Sequence, residues 1–315
     1  MAHFQGGSTN NFLSSVSGQT NSFFVPEIYS KKVQIALRKA AVAEAICNTD
    51  YMGEIANFGD TVNIIKEPQI AVADYTRGAT VTSTNLTDQE LVLIIDQAKS
   101  FSFKIDDLEK RFSHINFQAI AADNAAYALR DAMDSNILEA IGAGATVTTG
   151  MGTTSAPIDI GFTGSEVDPL NQMALAAKEL DEANAPEDGR WFVAAPEWYN
   201  ALSNSASKLM SVDFNAGQGS VRNGLVASGL LRGFQMYKSN NVPTNDLSGA
   251  TPAGAGDAPM ALFGHISSTS AASSMNKVET VRDTGTFSDI VRGLMVWGRK
   301  VLRPEIAGKI IYVID

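Results

Sequence analysis

The chain has 315 residues, of which 44% are hydrophobic and 18% are charged, which excludes wholesale disorder and leaves room for a sizeable core. Its net charge of −10 argues against a dedicated DNA-binding protein, because sequence-independent affinity for DNA comes mainly from lysine and arginine.

Two further classes of protein are disfavoured by simple patterns. The sequence contains no run of 18 apolar residues, and its first residues lack the basic start and apolar centre of a signal peptide, so we expect neither a membrane span nor a leader. Cys47 is the single cysteine, which excludes an internal disulfide framework and a cysteine-rich metal site. It lies in an alanine-rich stretch, where we expect a buried small hydrophobe.

The first 26 residues contain no charged side chain and are rich in Ser, Asn, Gln, Thr and Gly. Such a segment cannot build a core of its own, so it is either a floppy terminus or an arm that orders against a neighbouring subunit. Its phenylalanines favour the arm, because exposed phenylalanines usually have a partner. We therefore predict Phe12, Phe23 and Phe24 as inter-subunit contacts.

A helix and a long hairpin are predicted next. Apolar residues recur at four-residue steps over residues 27–46, which indicates a helix. Residues 60–72 and 89–105 alternate apolar and polar side chains and flank a polar tip at 77–88, which predicts an antiparallel hairpin. Because an isolated two-stranded ribbon is marginal in water, we expect it to be stabilised on another chain, with Arg77 at its tip as a contact.

Residues 107–141 are predicted to form one long helix, capped by Asp106 or Asp107 and ended by Gly142. A helix of that length spans roughly 40 Å, which is long for a globular protein. Its apolar stripe consists of Ile115, Ile120, Tyr127, Met133, Ile137 and Ile141.

The remainder of the chain predicts a mixed α/β body. Residues 142–165 are a Gly/Thr-rich connector, after which Asp168 caps a helix that begins with Pro169. The further predicted elements are a strand at 190–196, a helix at 196–207, a strand and loop at 233–243, a flexible loop at 248–259, strands at 260–264, 277–281 and 293–302, and a last apolar segment at 309–315.

No catalytic, metal or cofactor site stands out. The three histidines lack a second His or Cys at ligand spacing, and no glycine cluster forms a phosphate loop, so we expect no metal and no cofactor. His265 with Ser267 or Ser268 leaves a hydrolase as an alternative, but the nucleophile elbow Gly-x-Ser-x-Gly is missing and a turn after a strand explains the residues better. The aromatic residues of 191–199 are expected to pack in the core. We therefore predict a protein built for contacts and not an enzyme.

Five segments resemble, in the expected order, the major capsid proteins of tailed bacteriophages. The resemblance is carried by FVPEIYSKKV…GDTVNI (24–64), LTDQELVLIIDQAKSFSFKIDDLE (86–109), RWFVAAPEWYNAL (190–202), GFQMYKSNNVP (233–243) and IVRGLMVWGRKVLRPE (290–305). Each segment is short, but together they are spread over most of the chain.

The resemblance implies the α+β Hong Kong 97-like capsid fold, with an N-terminal arm, an extended β-hairpin loop, a peripheral domain with a long spine helix, and an axial domain. The corresponding ranges would be 1–26 for the arm, 57–105 for the extended loop, 166–254 for the axial domain, and 27–56, 106–165 and 255–315 for the peripheral domain.

The resemblance also implies the function and the partners. The chain would assemble with itself as pentamers and hexamers into an icosahedral shell around double-stranded DNA, which it would meet by non-specific proximity only. A portal and separate scaffolding or decoration proteins would be further partners, and assembly would take place in the host cytoplasm. The alternative is an encapsulin-like cellular nanocompartment shell, which would enclose protein cargo.

Overall fold

The computed structural model describes most of the body of the protein, and all structural statements below concern the residues it describes. These are 38–39, 41–51, 61–66, 70, 72, 74–78, 80, 89–108, 117–146, 150–153, 156–162, 164, 166–204, 230–245 and 258–314. The predicted contact residues Phe12, Phe23 and Phe24 lie outside them. So do most of the helix predicted at 27–46 and most of the hairpin tip.

The described residues form a mixed α/β structure, as predicted. The helices are α1 (Ala43–Ile46), α2 (Phe117–Gly144), α3 (Pro169–Glu182) and α4 (Pro196–Leu202). The strands are β1 (Thr61–Lys66), β2 (Gln89–Ile94), β3 (Gln97–Asp106), β4 (Ile158–Asp159), β5 (Arg190–Ala194), β6 (Gln235–Lys238), β7 (Thr244–Asn245), β8 (Ala258–His265), β9 (Thr269–Arg282), β10 (Ser288–Val301) and β11 (Ala307–Val313).

The largest sheet has the strand order β4-β11-β8-β5-β6, with β7 paired to β8. All five residues of its strand β5 are buried, because both faces of the sheet are covered. Phe192 packs on one side with Trp198 of α4, at 5.4 Å between ring centroids, and Trp191 packs on the other side against α2. The prediction that these aromatic residues belong to the core is confirmed.

The second sheet has the order β3-β10-β9, and all its pairs are antiparallel. Every other residue of the central strand β10 is buried, from Val291 to Trp297, because one face of the sheet lies on α2. The indole N–H of Trp297 donates to Asn136 of α2 at 3.1 Å. The helix therefore lies against both sheets.

Helix α3 is capped as predicted. The Asp168 carboxylate accepts the N–H of Leu170 at 2.8 Å, and Pro169 occupies the first helical position. Helix α2 differs from its prediction at the C-terminus, because it continues past Gly142 to Gly144. Gly142 is a packing position and not a stop: a Cβ there would lie 3.2 Å from the Pro243 ring.

The predicted second arm of the hairpin is divided. Strand β2 pairs with β1, from Thr61 opposite Ile94 to Lys66 opposite Gln89, whereas β3 pairs with β10 over ten residues. Residues 97–105 therefore belong to the three-stranded sheet, and the prediction that they pair with 60–72 was wrong. The reason is long-range: β10 offers β3 a full-length partner that no local pattern reveals.

Residues 38, 39, 41 and 42 are not helical, which corrects the helix predicted at 27–46 where the structure describes it. Helix α1 begins at Ala43 because its cap comes from α2. The Asp134 carboxylate accepts the N–H groups of Val42 and Ala43, each at 2.7 Å. The predicted burial of Cys47 is confirmed, and this burial raises the pKa of its thiol to about 12, with a smaller contribution from Asp134.

We expect Asp134→Ala to lower the free energy of unfolding of the unassembled subunit by about 2–3 kcal/mol, because it leaves three buried N–H donors without an acceptor. Two are the backbone N–H groups of Val42 and Ala43, and the third is one of the two N–H groups of the Asn241 side-chain amide, whose nitrogen lies 2.9 Å from Asp134 and donates its other hydrogen to Asp131. Urea unfolding measures the change. The control is Asp131→Ala, which removes a more exposed carboxylate on the same helix. Equal losses in the two variants would contradict the assignment.

Candidate assembly surfaces

The hairpin has one face that packs on the body and one that does not. Val62 and Ile64 of β1 and Leu93 of β2 point to the same side, where Leu93 is fully buried against Ala272 of β9. The cluster around Leu93 is completed by Tyr51 and Ile95. The inner face of the hairpin is therefore seated on the three-stranded sheet.

The opposite face, which we call the outer face, consists of Thr61, Asn63, Ile65, Glu90, Val92 and Ile94. Ile65 is 77% exposed and Ile94 is 49% exposed. Large apolar side chains on one face of a projecting ribbon mark an interaction surface. Exposed apolar residues continue towards the tip at Ile70, Val72 and Tyr75.

Arg77 lies in an exposed turn, followed by Gly78 with a positive φ of 88°. The structure thus places Arg77 beyond the strands of the hairpin, as expected for a tip residue. Its role as an inter-subunit contact stays a prediction, as do the roles of Phe12, Phe23 and Phe24.

A second exposed apolar patch lies at the far end of the three-stranded sheet, and sequence reasoning missed it. Phe287, in the turn between β9 and β10, is 80% exposed, and Leu108, after β3, is 64% exposed. The Asp107 N–H donates to the Phe287 carbonyl at 3.0 Å, which brings the two segments together. A phenylalanine within the polar run RDTGTFSD was the signal that could have revealed this patch.

Charged side chains hold this end of the sheet together, and we call them the ribbon clasp. Arg282 of β9 bonds to Asp107 at 2.8 Å and to Asp289 of β10 at 3.1 Å, and Lys104 of β3 pairs with Asp283. The Lys104 ammonium, with Thr286 and the Gly285 N–H, holds the pKa of Asp283 well below its usual range. These ion pairs link β3, β9 and β10 at the exposed end of the three-stranded sheet.

A group of polar contacts holds the residues that precede α1 against the long helix α2. Asn241 is buried, and its amide nitrogen donates to Asp131 at 2.7 Å and to Asp134 at 2.9 Å. The Lys39 ammonium donates to the side-chain amide oxygen of Asn241 at 2.9 Å, and the backbone N–H of Lys39 donates to the Tyr127 hydroxyl at 2.7 Å. Lys39, Val42 and Ala43 therefore lie along one face of α2.

His265 forms the turn after β8 that the sequence suggested. Its Nδ1 lies 2.8 Å from the Ser267 hydroxyl and accepts the Ser267 N–H at 3.2 Å, while its Nε2 lies 2.8 Å from the Asp188 carbonyl. These distances fit the tautomer in which Nδ1 accepts and Nε2 donates. Nδ1 thus closes the turn, Nε2 joins it to the loop before β5, and Ser268 is buried.

The described residues offer little else for chemistry. Within them, no three His, Cys, Asp or Glu side chains are grouped so that they could hold a metal ion. A polar cavity of about 360 Å³ lies beside α2, and its lining includes Lys39, Lys99, Asp131 and Glu139. No helix among the described residues is both long and apolar enough to span a membrane.

The ribbon clasp leads to a prediction about how the stability of the subunit depends on pH. The folded-state pKa of Asp283 is lowered, so ionised Asp283 stabilises the folded subunit at pH values above its unfolded pKa of about 3.9. This stabilisation declines as the pH falls below that value towards the folded-state pKa. Lys104→Met is expected to raise the Asp283 pKa towards its ordinary value, which an NMR titration of the unassembled subunit measures. Lys300→Met, which removes the same charge at the other end of β10, is the control. An unchanged Asp283 pKa in Lys104→Met would refute the clasp.

Comparison with known proteins points in one direction. The family model described as "Phage capsid protein" matches residues 89–310. A solved structure from Mycobacterium phage Che8 is 28% identical, with 91% of this chain and 97% of that chain covered at a TM-score of 0.74. The capsid structure of cyanophage P-SCSP1u is 21% identical, with 98% of each chain covered at a TM-score of 0.74. No curated protein matches the chain.

Proposed function

Since this chain belongs to the phage capsid protein family and is a major capsid protein that forms the shell of a tailed phage, we propose that it builds the shell by laying its hairpin across neighbouring copies of itself. The Hong Kong 97-like fold expected from the sequence is the fold of the chain. The phage shell is thereby favoured over the encapsulin-like alternative.

The observation that carries the proposal is the exposed outer face of the hairpin. A two-stranded ribbon with one face seated on its own body keeps Ile65 and Ile94 in water unless another surface covers them. The nearest source of such a surface in a homopolymeric shell is the next subunit. Repetition of a modest apolar contact around every capsomer then yields a strong wall without a single strong bond.

We propose a division into domains that follows the two sheets. The hairpin β1–β2 is the extended loop, and the peripheral domain contains α2 with β3, β9 and β10. The axial domain contains α3, α4 and the six-stranded sheet. Strands β8 and β11 pair with each other, and β8 also pairs with β5, so the tail range 255–315 contributes to both domains instead of to the peripheral domain alone.

The partners that follow are copies of the chain arranged as pentamers and hexamers, together with a portal and separate scaffolding or decoration proteins. Packaged double-stranded DNA would lie beside the wall without being bound, which the net charge of −10 supports. We further propose that the subunit performs no catalysis. His265 supports this view, because both its ring nitrogens are engaged in a turn.

We expect purified wild-type protein to assemble into rings or closed shells, visible by negative-stain microscopy. Ile65→Asp is expected to prevent or strongly reduce assembly, because it places a charge in the contact, while the melting temperature of the subunit changes little. Asn63→Asp is the matched control, since it adds the same charge to the outer face without removing apolar surface. Equal assembly by wild type and Ile65→Asp would refute the contact.

A further inference from the structure

On the C-terminal side of the hairpin, two residues separate its second strand from the body. Strand β2 ends at Ile94 and β3 begins at Gln97, yet β2 belongs to the two-stranded sheet and β3 to the three-stranded sheet. In the part of the chain that the structure describes, these two sheets share no ladder of hydrogen bonds. The angle between hairpin and body is therefore set by side-chain and backbone packing at the junction.

That packing is unusually close at one glycine. A Cβ on Gly298 of β10 would lie 2.3 Å from the carbonyl oxygen of Ile94 and 2.9 Å from the Cα of Ile95. No real Cβ approaches a backbone atom so closely, so any side chain at residue 298 would force the backbone at the base of the hairpin to move. The chain that passes from β2 to β3 at Ile94 and Ile95, which we call the crossing chain, therefore lies directly on the backbone of β10.

The neighbouring strand is shaped in the same way. Ala272 of β9 is the register partner of Gly298, is fully buried, and lies under Leu93 of the hairpin. We call Gly298 and Ala272 the saddle, because two small residues on adjacent strands receive the crossing chain. A β-bulge between Val296 and Trp297 directly precedes it.

One ion pair flanks the saddle. Arg299, the residue after Gly298, donates from Nη1 to the Asp96 carboxylate at 3.3 Å, and Asp96 is one of the two junction residues. The Arg299 side chain is mostly buried, whereas the Asp96 side chain is largely exposed. The ion pair holds Asp96 beside Arg299 of β10. Gly298 and Ala272 determine how closely the chain between β2 and β3 approaches the three-stranded sheet.

We infer that Gly298 is a positioning residue that sets the angle at which the hairpin leaves the body, and through that angle the curvature of the assembled shell. The inference rests on the proposed function of the hairpin as an inter-subunit contact. A methyl group at residue 298 must lift the Ile94–Ile95 backbone by about 1 Å to restore ordinary contact distances. The hairpin strands are about 20 Å long, so a small tilt at the base becomes a larger displacement at the tip.

The test compares Gly298→Ala with Gly264→Ala in the full-length protein. A Cβ on Gly264 of β8 would also meet a backbone carbonyl, that of Ile306 at 2.9 Å, but within the six-stranded sheet and away from the junction. Three quantities are measured: the melting temperature of the unassembled subunit, amide hydrogen exchange of β1 and β2, and the diameter of assembled particles by electron microscopy.

For Gly298→Ala we expect faster exchange in the hairpin and particles that stop at rings or differ in diameter from wild type, whatever the loss of melting temperature. Ala272→Val, which raises the saddle from the other strand, is expected to change the particles in the same way. Gly264→Ala should leave the exchange of the hairpin unchanged.

Particles of wild-type diameter with unchanged hairpin exchange in both saddle variants would overturn the inference. So would faster exchange in Gly298→Ala that extends equally to β8 and β11 of the six-stranded sheet, since this would indicate a general structural role. If the wild type itself failed to assemble, the proposed function would fall, whereas hairpin exchange in the unassembled subunit would still report on the saddle.

Discussion

The burial of the spine helix between two sheets is the interaction on which the rest of the structure depends. Ile137, Leu138 and Ile141 of α2 are fully buried, and their cluster takes in Trp297 from one sheet and Trp191 from the other. A helix of 28 residues is about 42 Å long, so it can serve two sheets that share no strand. The polar contacts of Lys39 and Asn241 on α2 depend on this packing, and so does the position of the three-stranded sheet on which the hairpin lies.

The sequence predicted those elements whose signals are local. The carboxylate and proline that start α3, the aromatic strand β5 and the long stripe of α2 are each specified within a few turns or residues. The family resemblance then supplied the arrangement of these parts and the function. Of the four predicted contact residues, only Arg77 lies in the part of the chain that the structure describes, and its role awaits the experiment.

The features that escaped prediction depend on contacts across the chain. The start of α1 is fixed by Asp134, more than 90 residues away, and no capping residue in its own segment reveals it. The division of the hairpin arm at Ile95 and Asp96 follows from the pairing of β3 with β10, which lies near the other end of the sequence. Gly298 is one of 26 glycines, and only the crossing chain distinguishes it from those that serve turns.

The burial of Cys47 has a practical consequence. A thiol reacts as the thiolate, and a group that is buried and titrates near pH 12 has almost none at neutral pH. Because this is the single cysteine of the chain, the folded subunit resists maleimide labelling and accidental cross-linking in air. A cysteine introduced on an exposed surface would therefore be the sole reactive handle on every subunit, repeated over the particle with the regularity of its lattice.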